Sequence, residues 1–157
     1  INYLCRNQSQ PINLKGIIMF GIQENRVAPP HLIQKAKTEI QNIMSNTRGI
    51  HFIMVCSNDG FELTSLYKKE NYNNSKLAAV GSSILAMVTA FTKEIHLTGC
   101  QTLTLDAENG KAILSSVASP QHPLIIIVLA EKDVLLGQIL YMLKRASHAI
   151  ETFDTRL

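Results

Sequence analysis

The chain has no tryptophan and only three cysteines, and charged residues make up 17% of its 157 positions. Cys5, Cys56 and Cys100 are odd in number and far apart. They offer no disulfide framework, and reduced thiols in a cytoplasmic protein are the expectation. The formal net charge is +3, and basic residues gather no further than the pairs Lys68-Lys69 and Lys144-Arg145. An electrostatic footprint for nucleic acid is therefore missing, and no nucleic-acid partner is expected. The longest apolar runs, Ile17 to Ile22 and Leu124 to Ala130, are far shorter than the roughly 20 residues of a spanning helix. No membrane span is expected, and the run after Lys15 lacks the layout of a signal peptide.

Reactive constellations are scarce too. His31, His51, His96, His122 and His148 form no HxH, HxxH or HExxH spacing, which argues against a bound metal. Phosphate-cradling loops of the GxxxxGKS/T or GxGxxG type do not occur, so no nucleotide and no other cofactor is expected. Gly81-Ser82-Ser83 falls inside a helical pattern, whereas a nucleophilic serine needs a strand-to-helix elbow. Asp59, Asp106, Glu108 and Asp133 sit at turns or caps, where carboxylates serve the local backbone. Arg48 and Arg145 are read as solvated surface groups. No catalytic residues are assigned, and the chain is not read as an enzyme.

What is present is a hydrophobic fraction of 46%, enough for one folded domain at this length. Residues 1–29 read as an N-terminal extension whose Gly16 to Ile22 stretch suits an added strand or docking on a partner; the domain itself spans 30–157. Pro29-Pro30 opens a helix to about Asn46, with Leu32, Ile33, Ala36, Ile40, Ile43 and Met44 at helical period. After Gly49, Ile50 to Cys56 is apolar on both faces and reads as a central strand. Asp59-Gly60 marks a hairpin to a half-polar edge strand, Phe61 to Lys68.

A second helix runs from Lys76 to Ile95, with Asn74 or Ser75 as its cap. A second hairpin follows, Gln101 to Ala107 and Lys111 to Ala118, turning at Asn109-Gly110. Leu124 to Ala130 is again apolar on both faces and belongs beside the first strand. A last helix, capped by Asp133, lines up Leu135, Ile139, Met142, Leu143, Ala146, Ile150 and Phe153. Two central strands, three outer ones and helices before, between and after them predict a three-layer α/β/α sandwich around a five-stranded, largely antiparallel sheet. The terminal helices share one face of it, and the middle helix covers the other.

On that middle helix Ala78, Ser82, Ala86 and Ala90 recur at four-residue spacing, while Leu77, Val80, Ile84, Val88, Phe91 and Ile95 form a neighbouring apolar face. Residues four apart share one helix face. This reading places the small side chains outward as a flat assembly ridge, with the large ones filling the face beside it.

The strings IMVCSNDGFELTS, KLAAVGSSILAM, TLTLDAENGKAILSSVA and LIIIVLAEKDVLLGQILYMLKRA, in this order between Pro30 and Phe153, resemble the roadblock/dynein-light-chain family. The resemblance implies helix, two strands, helix, three strands, helix, and a homodimer that joins middle helices and neighbouring strands into one sheet. It places Leu103 and Leu105 beside the ridge in that interface. It also implies a non-catalytic adaptor or regulator of a small Ras-like GTPase. The alternative is a ligand-sensing domain of profilin-like or PAS-like architecture, in which the middle helix walls a small-molecule pocket.

Overall fold

The computed structural model describes residues 28–68 and 72–157. Of the extension expected over 1–29, only Ala28 and Pro29 are among them; the Gly16 to Ile22 stretch and Cys5 lie outside the described residues. The element order is α1 (Pro30–Asn46), β1 (Ile50–Ser57), β2 (Glu62–Tyr67), α2 (Asn74–Glu94), β3 (Thr102–Ala107), β4 (Gly110–Val117), β5 (Leu124–Ala130) and α3 (Leu136–Thr155). The strands form one sheet in the order β2-β1-β5-β4-β3, each neighbour antiparallel. The two doubly apolar segments are the adjacent strands β1 and β5, as their composition predicts.

Alternation along these strands divides the interior into two cores. Ile53, Val55, Ile126, Val128 and Ile113 meet Leu32, Ala36, Ile40 and Ile43 of α1 and Ile139, Leu143, Ala146 and Ile150 of α3. Phe52, Met54, Cys56, Ile125, Ile127 and Leu114 meet Ala78 and Leu85 of α2 on the opposite face. The sandwich therefore has its three layers, and they are unequal: two helices cover one face of the sheet and one helix covers the other.

Local chemistry explains the boundaries, with three corrections to the sequence reading. Pro30 starts α1 because the first helical turn needs no backbone donor. The cap of α2 is Asn73, whose Oδ1 accepts the Lys76 amide at 3.0 Å, in place of Asn74 or Ser75. At α3 the cap position is Leu135 with no side-chain bond, so Asp133 does not cap it; a turn closed by Val134 N–H on Glu131 O intervenes. The β3–β4 corner is Glu108-Asn109, since Ala107 pairs directly with Gly110. Gly110 is small for another reason: a Cβ there would lie 2.9 Å from the Ala130 carbonyl oxygen across the ladder. The β1–β2 turn needs its glycine for conformation, as Gly60 holds φ +89°.

Candidate protein-protein interface

Helix α2 seats on the sheet through Ala78, Gly81 and Leu85, its three buried residues. A Cβ on Gly81 would come within 2.6 Å of Ile127 Cδ1, so the missing side chain lets the helix backbone sit close to β5. Ser82 is half-buried, and its hydroxyl donates to the Asn58 carbonyl, which fastens the helix to the β1–β2 turn. Leu77 and Ile84 pack against this second core from the sides.

That seating overturns part of the ridge expected from the sequence. Ala78 is 0% exposed in the chain's own core, and Ser82 faces the turn, so neither belongs to an outward strip. Ala86 and Ala90 do point to solvent. The outward line of small residues is Ala79, Ser83, Ala86 and Ala90, all exposed, so that Ala79 and Ser83 stand in place of Ala78 and Ser82. The physical reason is Gly81. Closest approach to the sheet centres the inner face on Ala78, Gly81 and Leu85, and this turns bulky side chains outward.

Val80, Met87 and Phe91 are consequently 47%, 64% and 63% exposed, so the apolar face that holds Val80 and Phe91 is left largely uncovered within the chain. Beyond the helix end Ile95 and Leu97 are exposed as well. The same side of the sheet carries further apolar residues. Register pairs Leu103 with Leu114 and Leu105 with Ala112, which sets both leucines on the α2 side. Leu103 is half-buried against the second core, and Leu105 is exposed. Next to Leu105 lies an open groove lined by His51, Tyr72, Leu105, Lys111 and Leu129 among others. Scattered apolar exposure is ordinary, whereas large apolar side chains gathered on one helix face, as Val80, Met87 and Phe91 are, mark an interaction surface.

The same helix corrects the survey of apolar runs. Over an 18-residue window α2 reaches a mean hydropathy of 1.4, and among the described residues it is the one helix long and apolar enough, by length and composition, to cross a membrane. Its composition is that of a helix apolar all round, although only one face is packed within the chain.

Groups capable of chemistry lie elsewhere and are occupied. Asp154 near the end of α3 is 0% exposed. Its Oδ2 accepts from the Ser119 hydroxyl and, at 3.0 Å each, from the Gln121 and His122 amides; Oδ1 is 2.8 Å from His122 Nδ1. Burial alone pushes this carboxyl up, but the bonds from Ser119, His122 and the two amides outweigh it and bring the pKa down to about 2. The cluster contains Ser, His and Asp without being a nucleophilic relay, because the serine hydroxyl bonds the carboxylate and not the imidazole. Its work is to tie the β4–β5 loop to α3. Sequence reasoning missed it; the signal available was an acid one helical turn after the buried Ile150, facing a loop bracketed by Pro120 and Pro123.

Cys56 and Cys100 are free thiols. Burial first, and the Glu62 charge second, push the Cys56 pKa up to about 12, so this thiol is unreactive. Arg145 lies over the Tyr141 ring at 5.9 Å, and Arg48 lines a groove with Glu131 and Asp133. Among the described residues no group of three or more His, Cys, Asp or Glu side chains is placed to hold a metal ion.

By sequence, no protein-family model and no curated protein matches the chain. By structure it is similar to the gliding protein MglB of Thermus thermophilus, with a TM-score of 0.73 at 15% identity over 83% of this chain and 96% of that one. Myxococcus xanthus MglB gives 0.73 at 14% identity, with 83% and 95% covered. A Roadblock/LC7 domain from Streptomyces avermitilis gives 0.64 at 11%, with 72% and 92% covered. The chain has the roadblock fold. Within the roadblock fold the path of the backbone is shared with these proteins.

Proposed function

We propose that this chain is a non-catalytic homodimeric adaptor or regulator that binds a small Ras-like GTPase. The observation that carries the reading is the uncovered apolar face of α2, with Val80, Met87 and Phe91 beside Ala79, Ser83, Ala86 and Ala90, and with Leu105 of β3 exposed on the same side of the sheet. Burying one Phe or Met side chain contributes roughly 1.5–3 kcal/mol, so two such faces meeting would recover a substantial hydrophobic term. The small residues let the two helix backbones approach, and the larger ones fill the flanks. Leu103 and Leu105 sit where β3 would extend the sheet. The family resemblance supplies the GTPase and the non-catalytic role; among the described residues the Ser82 hydroxyl is engaged by the Asn58 carbonyl and the Asp154 carboxylate by the β4–β5 loop. A cytoplasmic setting is part of the same proposal.

Two measurements test this reading. Sedimentation equilibrium should return twice the chain mass at micromolar concentration. With the purified dimer as bait, a small GTPase should be recovered in the presence of GDP or of a non-hydrolysable GTP analogue. A monomer, or failure to retain any nucleotide-switch protein with either nucleotide, removes the corresponding half of the proposal.

A further inference from the structure

We draw no further inference here: the strongest candidate, the open groove on the α2 side of the sheet lined by His51, Tyr72, Leu105, Lys111 and Leu129, belongs to the assembly face already described, and nothing in the structure shows what else covers it.

Discussion

Gly81 of α2 lies directly against Ile127 of β5, so closely that a Cβ on the glycine would stand 2.6 Å from the isoleucine Cδ1. This one approach decides which way the whole helix faces. Adding a methyl has two opposing effects: alanine is better than glycine in a helix by about 1 kcal/mol, and the Ile127 terminus must move aside. Gly81→Ala should therefore stay within about 1 kcal/mol of the parent, whereas Gly81→Val should lose roughly 1–3 kcal/mol by overpacking. Urea unfolding followed by circular dichroism reads both. Equal stability of the valine variant would mean that the helix does not sit this close.

The corrected helix face separates two arginine substitutions that the sequence alone would treat alike. Ala86 is exposed in the single chain and Ala78 is buried in its core. Ala86→Arg should fold with an unchanged circular dichroism spectrum and sediment as a monomer, since a charge would be trapped in the close helix contact. Ala78→Arg should instead lose the fold, by more than about 3 kcal/mol. A dimeric Ala86→Arg protein would refute the proposed contact.

The Asp154 carboxylate predicts a pH dependence with a definite sign. Its folded pKa, about 2, lies below the ordinary value of 3.8, so the folded state holds its proton less tightly than the unfolded chain. The stabilisation is fully present above about pH 4 and disappears as the pH falls through about 2, on the order of 2 kcal/mol in all. Asp154→Ala should cost roughly 2–4 kcal/mol at neutral pH by leaving the Ser119, Gln121 and His122 donors unpaired. The variant should also show a flatter stability curve between about pH 4 and 2, where the parent declines.

Helix α2 ends in a left-handed residue that is not glycine. His96 holds φ 60°, its amide bonding Lys93 O while the Leu97 amide reaches back to Thr92 O, the paired bonds of a Schellman close. Glycine adopts this conformation without a Cβ penalty. His96→Gly should raise stability by about 1 kcal/mol, visible as an upward shift in thermal midpoint. A lower midpoint would show that the imidazole makes a contact worth more than the relief.

The thiols should react at different rates. Cys56 is buried with its pKa raised to about 12, while Cys100 is half-exposed at the entry to β3. Iodoacetamide on the native protein at about pH 8 should modify Cys100 within minutes and leave Cys56 intact until denaturant is added, as peptide mass spectrometry would report. Alkylation of both at one rate would contradict the placement of β1 beneath α2.

Composition and periodicity were sufficient for the elements, their order and the identity of the two central strands. Runs such as Ile50 to Cys56 and Leu124 to Ala130 leave no polar face to turn toward water. Periodicity likewise gave the inner face of α1 and, on α3, Ile139, Leu143, Ala146 and Ile150, but Leu135, expected on that face, precedes the helix and is exposed, and the buried Ser147 and Asp154 share the face without an apolar signal. It failed on α2, whose residues are apolar or small all round, so that no hydrophobic pattern distinguishes the Ala78 line from the Ala79 line. Only the tertiary structure could choose, because the choice depends on where a helix lacking a Cβ at Gly81 makes its nearest approach to Ile127. The same holds for Asp154: its partners lie more than 30 residues away in the chain, and folding alone brings them together.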